Sequence, residues 1–128
     1  MEEKITKPFS PSDVIAALLT FLPEEFSNDP AKIHSTIAQL QKEEKYRYLL
    51  EDFEFLNYDP CPYSPLLGRI LNRLQESRLL SSINPGYEKY VLNKDSRKAI
   101  KVDILDKKLR DQKDNLVQIA SKLQEAIR

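Results

Sequence analysis

Three sites in this chain have the form of a helix start, in which a hydroxyl or carboxylate side chain directly precedes a proline and apolar residues follow at helical spacing. They are Ser10-Pro11, Asp29-Pro30 and Ser64-Pro65. The side chain before the proline accepts a hydrogen bond from first-turn N–H groups. Proline is well suited to the first helical position, because an N–H there has no partner inside the helix. The chain is therefore expected to be built on helices that begin near residues 11, 30 and 65.

Apolar residues recur every three or four positions after each of these starts. Such periodicity indicates a helix with one buried face. A further periodic stretch lies between the second and third starts. The spacing predicts helices over residues 11–22, 30–42, 46–53 and 65–78. The first of them is expected to end before Pro23, which cannot continue the hydrogen-bond ladder.

Two short runs rich in apolar and aromatic residues follow the last of these helices. Leu79–Ile83 and Tyr87–Leu92 flank Asn84-Pro85-Gly86, and a Pro-Gly pair between such runs indicates a β-hairpin. An isolated hairpin is marginally stable in water, so it is expected to pack on the helices. Helices followed by a hairpin are the winged-helix order of elements. We expect a mainly α fold with a small β-hairpin, in which residues 1–102 form a winged-helix domain.

The segment from Cys61 to Gln75 resembles a recurring element of prokaryotic winged-helix proteins. In that element a Pro-Tyr-Ser turn opens a helix with a Leu-x-x-Leu pattern, and a short strand and a Tyr-containing second wing strand follow. The matching pieces are Pro62-Tyr63-Ser64, Leu71–Leu74, Leu79-Leu80 and Tyr87–Leu92. The resemblance covers residues 55–95 and implies the winged-helix fold. The chain differs in having a longer gap before Pro65, and Ser77-Arg78 where many related domains have glycine.

Residues 60–102 contain eight basic and three acidic residues, a net charge of plus five in a chain whose total is zero. A local excess of cations attracts phosphate groups. On the helix over 65–78 the leucines are expected to face the core. The opposite side, with Arg69, Asn72 and Arg73, is then left to face a partner.

These features predict a transcriptional regulator that binds double-stranded DNA. In the winged-helix mode the helix over 65–78 lies in the major groove. Arg69 and Arg73 would contact guanine edges or phosphates, and Asn72 an adenine edge. Lys89 and Lys94 are both expected in the wing and would contact backbone phosphates. Such contacts position the protein on the duplex but do not read the base sequence.

The neutral total charge and the acidic stretch over 43–59 favour an alternative. Six acidic and two basic residues lie in that stretch, and they would repel DNA if they lay beside the helix over 65–78. In this alternative the chain is a winged-helix protein–protein interaction module that does not bind DNA.

The C-terminal segment, residues 103–128, has a narrow apolar stripe with a heptad-like spacing, interrupted by Gln112. Isolated helices of this length are marginal in water, so the stripe must be buried somewhere. We expect it to pair two copies of the chain into a homodimer. The alternative is that the helix packs back on its own domain. The predicted dimerisation residues are Leu105, Leu109, Leu116, Ile119 and Leu123.

Few residues are available for catalysis or cofactor binding. The chain has one histidine, one cysteine and two glycines, which leave neither a zinc site of cysteine and histidine nor a glycine-rich phosphate loop. His34, beside Ile33 and Ile37, is expected to be a packed residue. No catalysis and no cofactor are therefore expected. With no secretory signal or membrane-spanning stretch, and with a single cysteine, the sequence predicts a cytoplasmic protein without membrane contact.

Overall fold

A computed structural model of the chain describes residues 7–57, 62–83 and 89–127. A π-helical turn, Lys101–Leu105, and a 3₁₀ turn, Arg110–Gln112, lie in the C-terminal part. The described residues are mainly helical with a small antiparallel sheet, as predicted. The α-helices are Pro11–Leu19 (α1), Pro30–Gln41 (α2), Glu44–Leu50 (α3), Pro65–Glu76 (α4), Lys94–Ile100 (α5), Asp106–Lys108 (α6) and Lys113–Ile127 (α7).

Each of the three predicted helix starts is confirmed. Ser10 and Asp13 form a reciprocal capping box, in which each backbone N–H donates to the other residue's side-chain oxygen, at 2.9 and 3.2 Å. Asp29 accepts from two first-turn N–H groups of α2. The Ser64 hydroxyl oxygen accepts from the N–H of Leu67 at 3.2 Å. Each cap satisfies N–H groups that have no partner within the helix.

A three-stranded antiparallel sheet contains the predicted hairpin and one strand that the sequence pattern does not predict. The hairpin's second strand lies in the middle and also pairs with the strand that follows α1. Phe26 and Tyr90 lie opposite each other, and both are buried. The predicted turn, Asn84-Pro85-Gly86, lies outside the described residues. The strands are Glu25–Ser27 (β1), Ser81–Ile83 (β4) and Lys89–Val91 (β5).

The long gap between α3 and α4 contains a second, two-stranded sheet. Its strands, Leu56–Asn57 (β2) and Pro62–Tyr63 (β3), pair with Leu56 opposite Tyr63. The residues that join the strands lie outside the described part. This small hairpin brings Tyr63 to the beginning of α4.

Arg78, two residues after the last residue of α4, has the left-handed conformation, with φ of 67°. This conformation is usual for glycine at a helix C-terminus and costs other residues about 1–2 kcal/mol. The N–H of Arg78 donates to the carbonyl of Gln75 at 3.0 Å, and that of Leu80 to the carbonyl of Leu74 at 3.0 Å. Arg78 thus takes the conformation of the glycine that the resemblance leads one to expect near this position.

One hydrophobic core joins the N-terminal and C-terminal parts of the chain. α1 is buried from Val14 to Leu19. α7 packs mainly on α2, and also on α1, α3 and β1. The same core continues across the predicted domain boundary between residues 102 and 103, so the C-terminal helix is packed as part of the domain.

The predicted pairing of two copies through the C-terminal stripe is therefore corrected. All five predicted dimerisation residues are at most 3% exposed within a single chain: Leu105, Leu109, Leu116, Ile119 and Leu123. The segment is also not one continuous helix, because its backbone leaves the helical region at Leu109, with φ of −126°. A coiled coil requires an exposed stripe on an unbroken helix. The alternative, packing on its own domain, is what the structure shows.

Candidate nucleic-acid interface

α4 places its apolar and polar residues as the sequence predicts. Leu67, Ile70 and Leu71 are buried in the core. Arg69 and Arg73 are exposed on the opposite side. Asn72 lies between them and is also exposed. Because residues three and four positions apart lie on the same face of a helix, the three polar side chains form one surface. We call this surface the α4 face.

Within the part of the chain that the structure describes, the side chains of the α4 face make no hydrogen bond and no ion pair. Arg69 and Arg73 therefore use none of their guanidinium donors on the described residues. Glu76, one turn after Arg73, is exposed as well. The α4 face thus has two positive groups and one amide, with a single carboxylate at its C-terminal end.

The ion pairs of the described residues lie elsewhere. Their basic members are Lys7, Lys107, Lys108 and Lys122. No basic residue between positions 62 and 101 takes part in an ion pair of the described chain. Apart from Arg97, described below, the basic side chains of this region thus have no ion-pair partner among the described residues.

Arg97 belongs to this region but has a structural role that sequence reasoning missed. Its Nε donates to the Leu92 carbonyl at 2.7 Å. Its Nη1 donates to the carbonyls of Thr20 and Leu22 at 2.9 and 2.6 Å, and its Nη2 to that of Pro23 at 2.6 Å. Carbonyls at a helix C-terminus have no partner within the helix. Arg97 therefore ties α5 to the end of α1.

The electrostatic surroundings of Arg97 agree with this role. Burial lowers the pKa of Arg97 from its usual value, and the nearby carboxylate of Glu24 acts in the opposite direction. Arginine stays charged in proteins. The charge is stabilised by the carbonyls and is not presented to a partner.

Lys89 and Lys94 are both exposed, but they lie on other elements than the α4 face. Lys89 begins β5 and lines a groove of about 400 Å³ together with Lys32 and the C-terminal end of α7. Lys94 is the first residue of α5, so its predicted place in the wing is wrong. α4 and β5 are joined by a contact of 3.5 Å between Gln75 Nε2 and Tyr90 Oη.

His34 belongs to α2 and lies against the N-terminus of α4. It is 2% exposed, which confirms the prediction of a packed residue. Its Nδ1 accepts from the backbone N–H of Ser64 at 3.0 Å. Its ring stacks on Tyr63, with centroids 4.6 Å apart and an interplanar angle of 18°. Burial lowers the pKa of His34. This contact joins α2 to α4 across 30 positions, and no local signal in the sequence indicates it.

Gly68 lies directly against Tyr63. A Cβ added at Gly68 would lie 2.6 Å from Tyr63 Oη, closer than real Cβ contacts allow. The first turns of α4 can approach the tyrosine ring this closely only because glycine has no side chain. His34, Tyr63, Ser64 and Gly68 are therefore one packed group, which we call the α4 anchor.

The acidic stretch over 43–59 has its own basic partners. Lys7 Nζ lies 2.8 Å from a carboxylate oxygen of Glu51 and 3.4 Å from one of Asp52. Lys122 lies 3.7 Å from Glu43. α3 packs on α1, α2 and α7. These contacts reduce the negative potential that the sequence alone suggests for this stretch.

The described residues contain no group of three or more histidine, cysteine, aspartate or glutamate side chains that could hold a metal ion. Cys61 lies outside them. None of the described helices has the length and apolar character needed to cross a membrane. A comparison with family models, a search of curated proteins and a search of solved structures each found no match to this chain.

Proposed function

We propose that this chain is a winged-helix protein that binds double-stranded DNA through the α4 face and acts in transcription regulation. The observation that supports this most is the exposure of Arg69, Asn72 and Arg73 on one side of α4 without partners in the described fold. The order of elements supports the fold assignment, because α4 is followed by an antiparallel hairpin whose second strand pairs with the strand after α1. That arrangement is typical of winged-helix domains.

The chemistry of the α4 face fits base recognition in the major groove. An α-helix with its side chains is about 10–12 Å across, and the major groove of B-DNA is about 12 Å wide. Arg69 and Arg73 have paired donors that match the guanine O6 and N7 acceptors, and Asn72 can both donate to and accept from adenine. Lys89 and Lys94, both exposed, would contact backbone phosphates.

The proposed unit of binding is one chain. The apolar stripe of α7 is buried in the core, so it cannot also hold two copies together on a two-fold site. A single helix in one groove gives a short contact, in which phosphate neutralisation supplies a large part of the affinity. Binding is therefore expected to weaken strongly as salt is raised.

Fluorescence anisotropy with mixed genomic duplex DNA, at about 50 and about 200 mM salt, tests the proposal. We expect binding that weakens with salt, and lower affinity for Arg69→Ala and Arg73→Ala. Arg47→Ala removes an exposed arginine from α3 and is the matched control, with wild-type affinity expected. Absent binding, salt-insensitive binding, or an equal loss in all three variants would contradict the proposal.

One observation favours a second candidate, the protein–protein interaction module. Leu56 and Tyr63 are 42% and 38% exposed and lie opposite each other on the small hairpin next to α4. Tyrosine and arginine are enriched at protein interfaces, and an apolar pair beside arginines has that composition. Absence of DNA binding in the experiment above, with a folded protein, would favour this candidate.

A further inference from the structure

We propose that His34 is a positioning residue for α4, which fixes the orientation in which this helix presents Arg69 and Arg73. The inference rests on the proposed function, since it assigns a role in DNA contact to a residue that does not touch DNA. It starts from the hydrogen bond of 3.0 Å between the Ser64 N–H and His34 Nδ1.

Ser64 is the residue at which α2 and α4 are linked. It is fully buried, and its N–H needs an acceptor because a buried amide without one is costly. His34 of α2 supplies that acceptor. The Ser64 hydroxyl oxygen at the same time accepts from the N–H of Leu67, within the first turn of α4. The start of α4 is thereby held at a fixed point on α2.

The ring of Tyr63 restricts α4 further. It stacks on His34 on one side, and its hydroxyl lies where a side chain at position 68 would be. Turning α4 about its axis would disturb the close approach of Gly68 to Tyr63 or pull the Ser64 N–H from His34. The α4 anchor therefore opposes rotation of α4.

Such rotation matters for the α4 face. Arg69 directly follows Gly68, and Arg73 lies about one turn further along the helix. Hydrogen bonds weaken steeply when distance and angle depart from their preferred values. A small rotation of α4 at the anchor would move the ends of the long arginine side chains. Their paired donors would then no longer be aligned with the acceptors on a guanine edge.

Two substitutions at His34 distinguish the effect of losing the hydrogen-bond acceptor from the effect of losing the volume of the ring. His34→Leu removes the acceptor, whereas the side-chain oxygen of asparagine in His34→Asn can accept near the place of Nδ1. Ile119→Val, in the core of α7, is the control for a small loss of stability unrelated to α4. DNA affinity is measured by anisotropy at a temperature at which circular dichroism shows every variant folded. The backbone amide shifts of Ser64 and Leu67 are measured by NMR without DNA.

We expect His34→Leu to shift the Ser64 amide and to lower DNA affinity about tenfold. His34→Asn and Ile119→Val are expected to bind as the wild type does. A folded His34→Leu with wild-type affinity would overturn the proposal. If His34→Leu does not fold, Gly68→Ala takes its place, because its methyl group displaces Tyr63. About tenfold weaker binding is then expected, and wild-type affinity of that variant would overturn the proposal.

Failure of the proposed function is distinguishable from failure of this inference. If the wild type binds no DNA, the proposed function fails. The NMR measurement then decides the positioning role: shifts spreading from Ser64 along α4 in His34→Leu support it, and shifts confined to α2 contradict it.

Discussion

Arg97 stabilises the fold with a charge that sequence reasoning assigned to a DNA-attracting region. Its guanidinium donates to the carbonyls of residues 20, 22, 23 and 92. Net contributions of hydrogen bonds to a charged group are about 1.5–3 kcal/mol. The arginines of α4 and Arg97 look alike in the sequence, and only their surroundings separate the exposed arginines from the one that stabilises the fold.

Arg97→Ala is expected to lower the free energy of unfolding by about 3 kcal/mol, because the carbonyls at the end of α1 lose their donors. Chemical denaturation followed by circular dichroism measures this. Lys98→Ala, at the neighbouring exposed position, is the control and should change stability by less than about 0.5 kcal/mol. Similar stabilities for the two variants would show that Arg97 does not hold α1 and α5 together.

His34 is expected to make the stability of the fold depend on pH. Burial lowers its pKa in the folded state below the usual 6.5, so the unfolded chain binds more protons between these two pKa values. The free energy of unfolding therefore falls as pH decreases through 6.5 and levels off below the folded-state pKa. Nδ1 is the acceptor for Ser64, and protonation would replace that acceptor with a donor.

We expect the wild type to lose more stability than His34→Asn between about pH 7.5 and about pH 5.5. Denaturation curves of both proteins at a series of pH values measure the difference. Asparagine does not titrate in this range. The carboxylates are the same in both proteins, so their contributions to the pH dependence cancel in the comparison. Parallel pH profiles would contradict a role for His34 in this dependence.

At the scale of elements, α7 is an amphipathic helix whose apolar side is covered by the helices of its own chain. The heptad-like spacing predicts an apolar stripe, and the stripe is present. Spacing alone does not say whether a second copy or the same domain covers it, since both bury the same side chains. The break at Leu109 and the contacts with α2 decide this, and both depend on tertiary packing.

Leu116→Ala is expected to destabilise the protein by about 2–5 kcal/mol, because it leaves a cavity in the core. The oligomeric state should stay that of the wild type. Light scattering and thermal unfolding measure the two properties. Val117→Ala, at a position that is 43% exposed, is the control with little expected effect. A loss of dimer without a loss of stability in Leu116→Ala would restore the pairing hypothesis.

The elements differ in how well the sequence predicts them. The helix starts at Ser10, Asp29 and Ser64 are local patterns of adjacent residues, and all three are found. β1 is only three residues long, so it shows no periodicity and was not predicted. The strands of the small hairpin, β2 and β3, have only two residues each and show no periodicity either. Within the α4 face the three side chains were predicted, whereas the α4 anchor depends on a contact between distant positions.

At the scale of the whole molecule, a net charge of zero conceals an uneven distribution. In the described residues, the ion pairs join the N-terminal segment and the C-terminal helices to acidic groups. The region from 62 to 101 keeps its positive charges without such pairs, apart from Arg97 and its carbonyls. The neutral total charge therefore does not by itself argue against an anionic partner.

Amide chemical shifts recorded while a short mixed-sequence DNA duplex is added test this account most directly. We predict that the largest changes occur in α4 around Arg69 and Arg73, with smaller changes at Lys89, and that α3 and α7 stay unchanged. Changes centred on α3 or α7, or no change at any duplex concentration, would contradict the account.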